Sequence, residues 1–272
     1  MNLSVLRSHV ELRMSKCLGV ACGLAGIVLP IGCSAAPPKP AAVLQKMFDL
    51  YKNAHSLAIT ARTYQKSLSA QQKVATFTVV REIKATLPNR FYEHSTISGS
   101  LMPHNTNVVR IICSDGKLTT LYDSVQNVYM QQPAGPQVPP AFVFLRSIDP
   151  LLTSVDLKTA RITKTLQYHG QNAYVIQVSL VLPPGVSAAV RAKVKPLELT
   201  VSQGSYRLMR IVDANQLNPT ILGLDTEILD QQIGANIPES VFRFVPPKGA
   251  RLLKPPAPAA GGVPSSPSKP NP

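Results

Sequence analysis

The sequence predicts a mainly β domain with a few helices, built on a curved antiparallel sheet that has one face on a core. Three observations carry this. Between Val108 and Gln132, three short apolar runs are separated by two turn signals, the pattern of a β-meander. Further strand-like runs follow one another on both sides of it, broken by Gly and Pro. Trp is absent and aromatics make up only 6% of the chain, so the core is expected to be built from Val, Ile and Leu.

The meander can be drawn in register. With Asp115-Gly116 as the central pair of a type I′ turn, Ser114 faces Lys117, Cys113 faces Leu118, Ile111 faces Thr120 and Val109 faces Tyr122. One face is then apolar and the other carries Arg110 and Thr119. A barrel or half-barrel would use the apolar side to enclose something.

The elements follow in order. Met1 to Lys16 carries three basic residues, and Cys17 to Ile31 is an apolar run of signal-peptide length, shorter than a membrane span. Two ends fit residues 1–35. Cys33-Ser34-Ala35 offers a small-x-small cleavage site before Ala36, and Ile31-Gly32-Cys33-Ser34 resembles a lipobox with Cys33 as the lipidated residue, although Pro30 stands where such a motif has Leu. Either end places the mature chain in the periplasm, peripherally attached to the membrane if Cys33 is lipidated.

After the linker Ala36 to Pro40, the domain is expected to run to residue 253. Apolar residues at Val43, Met47, Leu50 and Ala54, with Leu44, Phe48 and Tyr51 beside them, predict an amphipathic helix. Strands are expected over Leu57–Gln65, Lys73–Ala85 and Arg90–Ser98, with Leu87-Pro88-Asn89 as a break, and then the meander. From Pro133 to Asp156 the period changes. Pro139-Pro140 can start a helix, Ala141 to Ile148 is almost wholly apolar, and Asp149-Pro150 reads as a cap with Pro at the first helical position. Strands resume over Ala160–Tyr168, Ala173–Leu182, Pro196–Ser202, Tyr206–Ala214 and Thr220–Gln231, and Val241–Val245 is expected to be the last. Residues 254–272 are rich in Pro, Ala, Ser and Gly, a composition that buries too little apolar surface to order itself.

The formal net charge is +14, and it stays strongly positive once Arg7, Arg13, Lys16 and Glu11 leave with the first 35 residues. The basic residues are spread along the chain without a block or interleaved aromatics, which argues against nucleic acid and for weak attraction to anionic lipid or envelope polymer. With Cys17, Cys22 and Cys33 removed or lipidated, Cys113 has no disulfide partner and reads as a small buried hydrophobe.

Three local motifs then carry a resemblance. They are Cys113-Ser114-Asp115-Gly116-Lys117 followed by Leu121-Tyr122-Asp123, Pro88-Asn89-Arg90-Phe91 after a strand, and Phe242-Arg243-Phe244-Val245-Pro246-Pro247-Lys248-Gly249 near the end. In this order and spacing the chain resembles the LolA/LolB-like family of periplasmic lipoprotein carriers and their envelope relatives, over about residues 40 to 253. The resemblance implies an unclosed, strongly curved antiparallel β half-barrel, capped by an N-terminal helix and short central lid helices, whose concave face holds acyl chains. Mapped here, the cavity or lid residues would be Met47, Phe48, Tyr51, Phe142, Leu145, Ile148 and Leu151. One position departs from the family, since the carriers have an Arg before the Pro-Asn pair and this chain has Leu87.

No catalytic constellation stands against this reading. His55, His94, His104 and His169 lack metal-ligand spacing, and no nucleophile-elbow, phosphate-loop or dinucleotide motif is present. Asp225 and Glu227 share a strand face and read as a solvated surface. A monomeric binding protein without cofactor or metal is expected, taking an acyl chain or a lipidated partner. The alternative is a non-enzymatic scaffold or sensor with a filled half-barrel, which binds another envelope protein through its rim.

Overall fold

The computed structural model describes residues 38–69, 73–100, 102, 106–135, 145, 149–215 and 221–253. Residues 1–35, read from the sequence as an export segment with Cys33, residues 254–272, and Phe142 and Ile148 lie outside the described residues.

Helix α1, Pro40–Lys52, starts with Pro at its first position, where the missing amide costs no hydrogen bond. Its apolar stripe Val43, Leu44, Met47 and Tyr51 is buried, and Lys52 in the last turn suits the negative end of the helix dipole. Six strands follow: β1 Ser56–Leu68, β2 Val74–Thr86, β3 Arg90–Gly99, β4 Val108–Ser114, β5 Leu118–Asp123 and β6 Val128–Pro133. Two 3₁₀ turns, Pro150–Ser154 and Leu157–Thr159, lead to β7 Arg161–Tyr168 and β8 Gln171–Val178. A four-residue helix α2, Ala188–Arg191, precedes β9 Leu197–Ser202, β10 Leu208–Asp213 and β11 Ile221–Ile233. The described chain ends with a 3₁₀ turn at Glu239–Phe242 and β12, Arg251–Leu253.

All twelve strands form one unclosed sheet in the order β12-β6-β5-β4-β3-β2-β1-β11-β10-β9-β8-β7. Each pairing is antiparallel except that of β12 on β6, which is parallel. The seam is β1 against β11, where Leu57 faces Ile233 and Ser67 faces Ile221. Because pairing partners share a face, the register fixes which side chains lie together across the sheet. On one face Leu57, Ile59 and Ala61 of β1 continue into Leu197, Leu199 and Val201 of β9 and Ile176 and Val178 of β8. Here α1 packs, with Leu145 and Leu152, to form the hydrophobic core.

Three details of the sequence reading are corrected. The meander hairpin slips by two residues, so Ser114 faces Thr119 and Cys113 faces Thr120. The turn moves one residue on, to Gly116-Lys117: the Asp115 amide donates to the Leu118 carbonyl at 3.3 Å, and the Asp115 Oδ1, in place of its own carbonyl, accepts from the Lys117 and Leu118 amides at 2.8 and 2.9 Å. A two-residue slip preserves the faces, but their roles are reversed from those expected. Cys113 and Tyr122, on the apolar face, lie beneath the C-terminal segment, with the Cys113 Sγ 3.9 Å from the Val241 carbonyl and the Tyr122 ring 6.0 Å from that of Phe244. The face bearing Arg110 is the one that continues the core face. Lastly, Val241–Val245 is not a strand. Glu239–Phe242 is a 3₁₀ turn that buries Phe242, Pro246 and Pro247 supply no amide donors, and pairing resumes at β12.

Candidate functional site

The two ends of the core face differ. Around β1, β8–β11 and α1 it is filled: Leu44, Met47, Tyr51, Leu57, Leu197 and Leu199 have no exposed surface. Tyr51 is also tied by hydrogen bonds, its hydroxyl donating to Gln231 Oε1 at 2.7 Å and accepting from the Leu208 amide at 3.0 Å. Burial pushes its pKa well above the ordinary phenol range.

Beyond β1 the same face is open. A cavity of about 750 Å³ is bounded by residues of β1 to β6 and β12. A single cavity that touches seven strands requires the sheet to curve round it, so this is the concave face. Its apolar lining includes Phe77, Val79, Ile97, Ile112, Leu121 and Met130, and Leu253 of β12 stands at its edge. A volume of this size falls within the roughly 300–1,000 Å³ of small-molecule sites.

Two charge pairs face the cavity. The Arg81 and Glu93 side chains are only 21% and 15% exposed, with Arg81 Nε 3.7 Å from Glu93 Oε1. Arg81 Nη1 donates to Thr63 Oγ1 at 2.9 Å, and Thr63 is in turn 3.0 Å from Thr226 Oγ1. Ser95 Oγ donates to Glu93 at 3.0 Å. Burial pulls the pKa of Arg81 down, and the neighbouring carboxylate partly offsets this. Arg110, which is more exposed, donates from Nε to Asp123 Oδ2 at 3.2 Å.

Of the seven residues mapped from the family resemblance, five are described. Met47 and Tyr51 are in the core, and Phe48 and Leu151 pack against it, half-buried. Leu145 is helical and buried. None of the five lines the large cavity, while Phe48 and Leu145 border a smaller one of about 270 Å³ with Leu152 and Leu157. The cap read at Asp149 is present: its Oδ1 accepts from the Leu151 amide at 2.8 Å. Burial raises the Asp149 pKa to about 6, against that hydrogen bond and with a contribution from Asp213.

Sequence reading passed over Arg81 and Glu93, although a signal was available. Phe77, Val79, Arg81 and Ile83 alternate along β2, so a charge stands in phase with apolar neighbours. Leu87 occupies the place of the carriers' Arg, and the nearby Arg90 is turned to the C-terminal segment, donating to Glu239 at 2.6 Å. Away from the cavity, Asp225 accepts both Nε and Nη2 of Arg210 at 2.8 and 2.6 Å, and Glu227 bonds His169 at 2.7 Å and Tyr168 at 3.1 Å. Cys113 is buried, which pushes its thiol up to about 11. Among the described residues no group of three His, Cys, Asp or Glu side chains is placed to hold a metal ion, and no helix is long and apolar enough to cross a membrane.

The fold is thus an unclosed β half-barrel whose concave face is filled at one end and open at the other. The chain belongs to the family described as predicted periplasmic protein (DUF2092), whose model matches residues 41–254, which places it in the periplasm. Among solved structures it is similar to LprF from Mycobacterium bovis, at 13% identity and a TM-score of 0.45, covering 74% of this chain and 96% of that one. It is similar also to the lipoprotein LppX of Mycobacterium tuberculosis, at 15% identity and a TM-score of 0.40, covering 75% and 99%. A LolA superfamily protein from Nitrosomonas europaea matches at 8% identity and a TM-score of 0.29, covering 76% and 99%. No curated protein matches the sequence. The family match bears out the periplasmic envelope protein expected from the sequence.

Proposed function

We propose that this protein holds the acyl chain of a lipid, or of a lipidated partner, in the open part of its concave face. The observation that carries the reading is the contrast between a sealed core at one end of the face and a cavity of about 750 Å³ at the other. Phe77, Val79, Ile97, Ile112 and Leu121 keep a large apolar concavity within a fold that already has a complete core elsewhere. Apolar surface left in a cavity is stabilised when a ligand covers it, and an acyl chain does so without needing directed partners along its length.

In this reading α1 and the 3₁₀ turns secure the filled end. Phe48 and Leu145 border the smaller cavity at that end. In this reading the ligand is held unchanged, the charges that face the cavity being balanced as Arg81 with Glu93 and Arg110 with Asp123.

Native mass spectrometry of the full-length protein taken from an envelope extract tests it. Extra mass that is lost on adding excess lauric acid is expected. A homogeneous protein mass that neither fatty acid nor neutral lipid shifts would refute it.

A further inference from the structure

We infer that the cavity is built for an uncharged polar lipid, an acyl chain joined to a head that carries hydroxyl or ester oxygens, and that Arg81 and Glu93 recognise this head. The inference rests on the lipid-binding reading above and narrows it to one class of ligand.

Arg81 faces Ser95 across β2 and β3, and Glu93 stands two residues along β3 on the same side. A guanidinium has five N–H donors. One is taken by Thr63, and the approach to Glu93 at 3.7 Å is charge attraction beyond hydrogen-bond length. Among the described residues no buried side-chain nitrogen or oxygen lacks a partner, so the Arg81 nitrogens that make no hydrogen bond keep accessible surface, on a residue that lines the cavity. Glu93 Oε1 accepts from Ser95, and the carboxylate keeps further acceptor capacity. The cavity therefore offers donors and acceptors side by side, within apolar walls made by Phe77, Val79 and Ile97.

Its charges also cancel. Arg81 is matched by Glu93 and Arg110 by Asp123, so no net field holds an ionised head. A carboxylate brought to Arg81 would lie beside Glu93, and an ammonium brought to Glu93 would lie beside Arg81. Like charges repel most where water is excluded. A hydroxyl meets both groups at once, since it accepts from Arg81 and donates to Glu93, and an ester carbonyl accepts from Arg81 alone.

The test is displacement of the neutral dye Nile red from the full-length protein by two lipids of equal chain length, monolaurin and laurate, below their micelle concentrations. At about pH 8, where laurate is ionised, monolaurin is expected to displace the dye at a concentration about tenfold lower. Glu93→Gln removes the repelling charge, so laurate should gain on monolaurin by a similar factor. If Glu93→Gln does not fold, the double variant Arg81→Gln/Glu93→Gln takes its place and should bind the two lipids about equally. Laurate binding as tightly as monolaurin to the unaltered protein, or a preference for monolaurin that survives Glu93→Gln, overturns the inference and leaves the acyl-chain reading standing. If Nile red and both lipids all fail to bind, both readings fall.

Discussion

Two ends of one sheet face have been put to different uses. Where β8–β11 and β1 lie under α1, large aliphatic side chains interlock and Tyr51 has its hydroxyl bonded on both sides. Where β2–β6 and β12 continue the face, apolar residues alternate with Arg81, Glu93 and Ser95, and a cavity remains. One continuous sheet runs through both, with bulges at the β1–β11 seam between them. Open and filled half-barrels are thus not alternatives for this fold. The filled end supplies stability, which frees the open end from optimal packing.

The largest effect should come from charging the two ends in turn. Leu199→Asp places an unpaired charge among fully buried neighbours, at a cost of several kcal/mol that rivals the roughly 5–15 kcal/mol stability of a whole domain. Leu121→Asp places it at the wall of the open cavity and should shift a urea midpoint far less while abolishing Nile red binding. Equal midpoints for the two variants would end the distinction. Leu145→Asp refines it: Leu145 belongs to the core cluster, so this variant should behave like Leu199→Asp.

A smaller loss is expected from Tyr51→Phe, which strands the buried Leu208 amide. About 1–3 kcal/mol should disappear from the denaturation free energy, with lipid binding unchanged.

At the filled end Asp149 should give stability a pH dependence. Burial raises Asp149 to about 6, so the folded state binds its proton more tightly than the unfolded chain does. The associated stability is complete below about pH 4 and is lost as pH rises towards 6. Asp149→Asn, which can still accept from Leu151, should flatten this fall when unfolding free energies are measured across that range. A slope unchanged in the variant assigns the dependence to another group.

Smallest of all is Gly99→Ala at the open end. A Cβ there would lie 2.5 Å from the Phe77 ring and 2.9 Å from the Thr76 carbonyl oxygen, so the ring on the cavity wall and the adjoining β2 backbone must both shift. About 1 kcal/mol of stability should be lost, with lipid binding weakened more visibly than folding. Calorimetry alongside dye titration separates the two effects.

Much of this was legible in the sequence, because strand alternation and breakers are local signals. The helix, most of the strands and the Asp149 cap follow from them. The hairpin register did not, and the contrast with a second hairpin shows why. At His169-Gly170 both residues have positive φ, 48° and 74°, and Tyr168 faces Gln171 across a two-residue turn. Asp115-Gly116 has similar composition, but the Asp115 side chain competes for the next two amides. Strand β12 was hidden because three exposed residues carry no alternation, and its entry depends on a distant bond from the Arg251 amide to the Asn127 carbonyl. The position of the cavity was illegible for a related reason. Periodicity tells which residues share a face, whereas only tertiary packing decides how far α1 reaches across it.

The seam between β1 and β11 has a consequence in time. Neighbours along β1 to β6 are close in sequence and can pair as soon as they exist, but Leu57 meets Ile233 only when nearly the whole domain is present. Pairings of such long sequence separation incur their loop-closure entropy before any contact rewards it, and they slow the search. The chain should therefore remain unfolded for longer than a meander of its strand content would. Stopped-flow refolding measures it: an Ile228→Ala change at the seam should accelerate unfolding far more than it slows folding if the seam closes last.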